Sequence, residues 1–286
     1  MNKTDIQRAK DFIESSDYIV IIGHKSPDGD SIGSSLGLFN VLKKKGKNVQ
    51  VCMPDPFPSF LSWMKGADQI LNHEEQNKEV TQALEKADLI FCLDFNAESR
   101  VGKMEHILRN AKATKIMIDH HQDPDDFAEI AFSFPNECST CQLIYKFLVE
   151  LNYDGDLDSE SGACLYCGIM TDTGSFRFRS TTATTHRIVA SLIEKGADNT
   201  QIHNKVYDTN SYERIQLLGC ALTNLRAIPE YKAAYITLSQ DELNRYNYKK
   251  GDTEGVVNYA LSLDGVILAA IFIEDKKEGI IKISLR

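Results

Sequence analysis

Two short stretches of the chain combine imidazoles and carboxylates at spacings that suit a divalent cation: His24-Lys25-Ser26-Pro27-Asp28-Gly29-Asp30 and Asp119-His120-His121. Pro27 and Gly29 force a tight loop, so His24, Asp28 and Asp30 can converge on one point instead of following a strand. Asp30 is expected at the N-cap of the next helix, and Asp119 is placed to orient a neighbouring histidine and fix its tautomer. Asp94 closes the apolar run Leu89-Ile90-Phe91-Cys92-Leu93 and is a candidate bridge between two metals. Asp172 lies in Thr171-Asp172-Thr173-Gly174, where a helix is expected to end in a turn and project a carboxylate. Taken singly, each acid reads as a cap or a turn residue. Together, N and O donors at strand ends are what a cation site for phosphate chemistry requires.

The elements that must position these residues alternate. Strands are predicted over 18–23, 48–53, 89–94 and 115–119, with helices over 30–45, 74–86 and 103–110. Near-continuous apolar strands between helices predict a parallel sheet covered on both faces, whose ligands collect beyond the carboxyl ends of the strands. His24, Asp94 and Asp119 all fall at such ends. From 158 to about 225 the pattern is mostly helical, with breaks at 172–181 and at Gly196. Beyond Pro229, strands are predicted over 231–238, 266–273 and 280–285, around a helix near 253–261. The expected organisation is α/β throughout: a catalytic domain over 1–182, a helical linker over 183–212 and a smaller α/β domain over 213–286.

At 286 residues, with 42% hydrophobic residues, the chain has enough material for two folded cores. No stretch approaches the ~20 apolar residues of a membrane span, and the N-terminal residues lack the pattern of a signal peptide, so the cytoplasm is the expected location. A net charge of −9 argues against a broad surface for long-duplex nucleic acid, which is normally basic. It leaves room for a small nucleotide or a short oligonucleotide whose phosphates are met by metal ions and a few arginines.

Other features have plainer readings. Cys138/Cys141 and Cys164/Cys167 are spaced like a zinc ribbon, but each pair falls in a predicted helix and reads as core packing. Ser139 to Gln142 reads as a capping box opening one of those helices. Lys43, Lys44, Lys45 and Lys47 complement a helix C-terminus. His73, His106, His186 and His203 are isolated, and Phe57, Phe60 and Trp63 read as helix-face packing before base stacking. Arg177 and Arg179 follow Asp172 closely and are candidates for substrate phosphates.

His24-x-x-Pro27-Asp28-Gly29-Asp30, Asp94, Asp119-His120-His121 and Thr171-Asp172-Thr173 resemble the four motifs of the DHH phosphoesterase superfamily. Their order, and the later domain, most resemble its DHH/DHHA1 branch, in particular the bacterial nanoRNase and pAp-phosphatase group. The resemblance runs from about Ile19 to the C-terminus. It implies two Mn²⁺ ions, other divalent metals being compatible with the same donors. His24 and Asp28 would hold one ion, Asp30, His120 and Asp172 the other, and Asp94 would bridge them. His121 would contact the scissile phosphate, Asp119 would support the histidines, and Arg286 would match an arginine that contacts substrate. The implied substrates are short oligoribonucleotides, dinucleotides and 3′-phosphoadenosine 5′-phosphate (pAp), cut by metal-activated water in a cleft between the domains. Members of this branch usually carry a Gly-Gly-Gly-His segment near the end of the second domain. None follows Ile283-Ser284-Leu285-Arg286, so that domain is expected to be incomplete.

Alternatives on the same metal motifs are a cyclic- or linear-dinucleotide phosphodiesterase, an inorganic pyrophosphatase and a nucleotide-binding regulator without catalysis. A homodimer is a candidate assembly.

Overall fold

The apolar runs predicted as strands pair side by side in one parallel sheet. The computed structural model describes residues 1–249 and 251–286. It divides into two units, Met1–Val206 and Tyr207–Arg286. The first unit opens with α1 (Lys3–Ser15), β1 (Ile19–Ile22), α2 (Gly29–Lys44), β2 (Val49–Met53), β3 (Leu71–Asn72) and α3 (Asn77–Lys86). It continues with β4 (Leu89–Leu93), α4 (Glu105–Asn110), β5 (Thr114–Asp119), β6 (Ile130–Ser133) and α5 (Thr140–Glu150). Then come α6 (Ser159–Asp172), α7 (Ala183–Glu194) and α8 (Asn199–Tyr207), so the helices over 183–206 lie within the first unit.

The sheet order is β3-β2-β1-β4-β5-β6, with every pairing parallel. The chain winds outward from β1 to β3, then returns to start β4 on the other side of β1. The crevice beyond the carboxyl ends of β1 and β4 is therefore the switch point where open α/β sheets bind ligands.

Both faces of this sheet are covered. Val20, Ile22, Ile90, Cys92 and Met117 share a core with Val80 and Leu84 of α3 and Leu108 of α4. On the opposite face Phe91 of β4 meets Phe147 of α5 edge-on, ring centroids 6.1 Å apart. All residues of β1 and β4 are buried, which is why their sequences are uninterrupted apolar runs. Helices α2 and α6 pack together on small residues: a Cβ on Gly33 would lie 2.5 Å from the Cys164 carbonyl oxygen.

Several predicted boundaries move for local reasons. The helix predicted over 74–86 starts at Asn77, because the Asn72 side chain accepts from the Glu74 N–H and ties residues 72–76 into a turn. The one predicted over 103–110 starts at Glu105, after Gly102 takes φ +56°. Helix α1 and strands β3 and β6 are additions to the predicted set.

In the second unit α9 (Tyr212–Thr223), β7 (Arg226–Ile228) and β8 (Ala233–Leu238) are followed by α10 (Gln240–Arg245), α11 (Val256–Leu261), β9 (Leu268–Asp275) and β10 (Ile280–Leu285). The sheet order is β10-β9-β8-β7, with β8 and β9 parallel and the outer pairs antiparallel. Leu217 and Ala221 of α9, Leu243 of α10 and Val257 of α11 close over Ile236, Leu238 and Ile271. Among the described residues no helix is long and apolar enough to cross a membrane.

Candidate metal centre

The loops beyond β1, β4 and β5, together with the C-terminal end of α6, gather one cluster of histidines and aspartates. Asp28 caps α2: its side chain accepts from the N–H groups of Asp30 and Ser31 at 3.0 and 3.1 Å. The predicted N-cap, Asp30, therefore lies one step inside the helix, because the Pro27 turn brings Asp28 into capping position first. Asp30 does not cap α2; it is fully buried and faces the start of α5. Thr140 N–H donates to its Oδ2 at 2.6 Å and Cys141 N–H to its Oδ1 at 2.9 Å.

Asp94 sits at the centre. It follows β4 in the left-handed region, at φ +63°, and its N–H donates to the Ile118 carbonyl. Its Oδ2 lies 3.3 Å from His24 Nε2, and its Oδ1 lies 3.5 Å from His120 Nε2 and 3.9 Å from His121 Nδ1. His24 Nε2 is 3.8 Å from Asp28 Oδ1, and the ring is held through Nδ1 by the Lys25 carbonyl at 2.8 Å. His120 Nε2 lies 3.2 Å from Asp172 Oδ2 and 3.8 Å from Asp30 Oδ2, while its Nδ1 faces the Glu137 carbonyl at 3.3 Å. Fixing one ring nitrogen on a carbonyl turns the other inward, as ligating histidines require.

Three groups of donor atoms result, each within 4.8 Å of one another: His24, Asp28 and Asp94; Asp30, His120 and Asp172; Asp94, His120 and His121. Beside them, Asp119 accepts both the backbone N–H and the Nδ1–H of His121. Arg177 donates to the Gly174 carbonyl in the turn after α6, and Arg179 is exposed on the same loop. Arg286 belongs to the second unit, where its main chain pairs with Ala269 beyond β10.

The electrostatics call for cations. Among the described residues none of Asp28, Asp30, Asp94, Asp119 and Asp172 is paired with a lysine or arginine; histidines are their only basic partners. Burial alone would lower the His24 and His120 pKa values. The bond to Asp94 in one case, and the bond to Asp172 with the charge of Asp30 in the other, overcome it and push both up to about 10. Burial, then the charges of Asp94 and Asp172, hold the Asp30 carboxyl well above the carboxylate range. Burial likewise raises Asp172 to about 6. Burial would also raise Asp94, but its bond to His24 and the surrounding imidazoles pull it down.

Protons thus gather where divalent cations would satisfy the same carboxylates, and the donor set is N and O throughout. The cysteines stay out of it. All of Cys138, Cys141, Cys164 and Cys167 are buried free thiols, and burial pushes the nearest, Cys141, well up. Ser139 caps α5 by accepting from the Gln142 N–H, but the predicted reciprocal bond is not formed, because the Gln142 amide turns to Glu137 instead. Thr140 is the contributor that sequence reasoning passed over: its hydroxyl donates to Asp94 Oδ1 at 3.0 Å.

A parallel sheet whose switch point carries this Asp/His cluster defines a class of proteins, and the model of the DHH family N-terminal domain matches residues 18–169. The chain belongs to the DHH family. It is 26% identical over 274 residues to the probable bifunctional oligoribonuclease and PAP phosphatase NrnA of Streptococcus mutans, an alignment covering 96% of this chain and 83% of that protein. It is 29% identical over 269 residues to the bifunctional oligoribonuclease and PAP phosphatase NrnA of Thermus thermophilus, covering 94% of this chain and 75% of that one. A crystal structure of an exopolyphosphatase-related protein from Bacteroides fragilis superposes with a TM-score of 0.95 at 40% identity, covering 100% of this chain and 83% of that one.

Proposed function

We propose that this chain is a divalent-metal-dependent phosphoesterase that hydrolyses short oligoribonucleotides, dinucleotides among them, and pAp. The observation that carries the reading is the sharing of Asp94 between donor groups, with one carboxylate oxygen toward His24 and the other toward His120. Similarity to two bifunctional oligoribonuclease and PAP phosphatases, over most of this chain and 83% and 75% of theirs, supports the substrate class.

In this reading His24 and Asp28 would hold one ion, Asp30, His120 and Asp172 the other, and Asp94 would serve both; Mn²⁺ suits these imidazole and carboxylate donors. Divalent ions held there would supply the positive charge that activates water and steadies an in-line displacement at phosphorus. The protein's own residues do the rest. Asp28 orients its carboxylate by capping α2, and the carbonyls of Lys25 and Glu137 fix the two ligating rings. Asp119, which only accepts, holds the proton of His121 on Nδ1. His121 Nε2 is then the ring atom available to a substrate oxygen; in the imidazolium form it donates to the scissile phosphate as charge builds there. Arg177 is assigned to an outlying phosphate of the substrate. The same reading puts the enzyme in the cytoplasm, with a homodimer as the assembly to test by light scattering.

The test is Mn²⁺-dependent product release from a diribonucleotide, pAp, a linear and a cyclic dinucleotide, pyrophosphate and inorganic polyphosphate. Mononucleotide from the diribonucleotide together with phosphate from pAp supports the reading. Turnover confined to the cyclic dinucleotide or to the inorganic substrates replaces it, and metal binding without turnover of any of them makes the protein a regulator.

A further inference from the structure

The N-terminal donors of an α-helix have no intrahelical partners, and each must be satisfied elsewhere. In α5 the accounting is unusual. Gln142 N–H goes to the Ser139 side chain, but the two donors before it both leave the helix for one residue 110 positions earlier: Thr140 N–H binds Asp30 Oδ2 and Cys141 N–H binds Asp30 Oδ1. The hydroxyl of the same Thr140 reaches a different carboxylate, donating to Asp94 Oδ1 at 3.0 Å. Thr140 is completely buried. The hydroxyl must be the donor, because an ionised carboxylate only accepts.

We propose that Thr140 is a positioning residue for both halves of the metal centre. Its backbone holds Asp30. Its hydroxyl sets the rotation of the Asp94 carboxylate, so that Oδ2 stays toward His24 and Oδ1 toward His120 and His121. Free rotation of Asp94 about its terminal torsion is otherwise broad, since sp³–sp² torsions have no sharp wells. Without the hydroxyl, the shared carboxylate would turn to serve one side and lose the other. A carboxylate oxygen has a second lone pair, so the bond from Thr140 leaves Oδ1 able to ligate. The inference rests on the two-ion reading above and adds to it the residue that keeps the two sites in register.

The test compares Mn²⁺ binding to the whole protein and to T140V and T140S, by calorimetry and by electron paramagnetic resonance in the absence of substrate. Valine keeps the shape and the main-chain bonds to Asp30 and puts a methyl in place of the hydroxyl; serine keeps the hydroxyl. The expected result is a spin-coupled pair of ions in wild type and T140S. In T140V one site should weaken by about 10–100-fold, the range for losing a residue that orients a ligand, leaving a mononuclear spectrum at limiting metal. Should valine prevent folding, T140A against T140S gives the same contrast, since the two differ by the hydroxyl alone. Two ions bound by T140V with wild-type affinity, or equal loss in T140S and T140V, overturns the assignment. Wild-type protein that binds fewer than two ions overturns the two-ion reading first, and the role of Thr140 with it.

Discussion

Asp119 grips His121 twice, accepting its backbone N–H on Oδ2 and its ring Nδ1–H on Oδ1, both at 2.8 Å. Asp119 is completely buried, while the His121 side chain is 37% exposed. The pair is thus a fixed base carrying a ring that solvent and substrate can reach. Asp119 itself is outside the clustered donor groups, while His121 belongs to one of them, its Nδ1 3.9 Å from Asp94 Oδ1.

This arrangement predicts the outcome of Asp119→Asn. The asparagine oxygen can satisfy the His121 backbone N–H, but the amide NH₂ must then face Nδ1 and oppose the doubly protonated ring from which Nε2 donates. Turnover should fall by about 10²–10⁴-fold, the usual contribution of a positioned acid–base group. Mn²⁺ affinity should change little, because Asp119 is not among the clustered donors. Single-turnover rates at saturating metal, beside calorimetric metal titration, check both halves. Loss of metal binding in D119N would show that Asp119 is a ligand.

Asp94→Asn tests the shared carboxylate itself. The amide keeps the volume and one acceptor, but presents NH₂ either to His24 or to the His120 side. One ion should be lost or weakened by about 10–100-fold, with turnover falling at least as far. Stoichiometry by metal analysis after gel filtration, measured beside product release, reads the result. Near-wild-type activity from D94N would remove the two-ion assignment.

Gly168 tests how tightly α6 presses on the site. A Cβ there would lie 2.2 Å from Cys141 Sγ and 2.8 Å from Asp30 Oδ1, and real Cβ atoms do not approach neighbours so closely. Gly168→Ala must push α5 or Asp30 aside, at a cost of roughly 1–3 kcal/mol for overpacking a filled core. Metal affinity should fall together with the melting temperature, because Asp30 is one of the atoms displaced. The double variant C141A/G168A should recover part of the stability. An unchanged melting temperature in G168A would mean that the two helices are not in contact at this point.

How much of this was legible in the sequence follows from the range of the interactions. Strands β1 and β4 were readable because burial on both faces leaves uninterrupted apolar runs, and β5 from its buried Ile-Met-Ile end; the six candidate ligands follow these strands in the loops and the first turn of α2, or close α6. Helix α1 carried a signal that went unread: Asn2 caps it, and Ile6, Ala9 and Ile13 give its buried stripe. Strand β3 has only two residues, and β6, at the sheet edge, alternates buried and more open positions instead of forming a fully buried run. The α2 cap fell to Asp28 and not to Asp30 because the choice between two acids one residue apart depends on the turn at Pro27. Thr140 could not be found locally. Its partners lie 110 and 46 positions away, and no spacing in the chain records that α5 begins on Asp30.

The second unit offers a prediction that does not involve metal. Glu242 joins three elements: Oε1 accepts from the Asn224 amide at the end of α9, and Oε2 accepts from the N–H and hydroxyl of Ser239 where β8 passes into α10. The Asn224 bond, followed by those from Ser239, outweighs partial burial and holds the carboxyl down at about 2, against an ordinary value of 4.5. A carboxylate whose pKa is lower folded than unfolded binds fewer protons in the native state, so its contribution is complete above the ordinary value. That contribution is lost progressively as pH falls from about 4.5 to about 2. Glu242→Gln removes the charge and sets an NH₂ among donors, so the variant should be less stable than wild type at neutral pH. The difference should shrink as pH falls through that window. Hydrogen exchange at the amides of Leu243 and Ser239 reads the effect locally, apart from the acid titration of the Asp/His cluster in the first unit. Exchange curves for E242Q and wild type that run parallel across the window would show that Glu242 is not the acid-sensitive clasp of this unit.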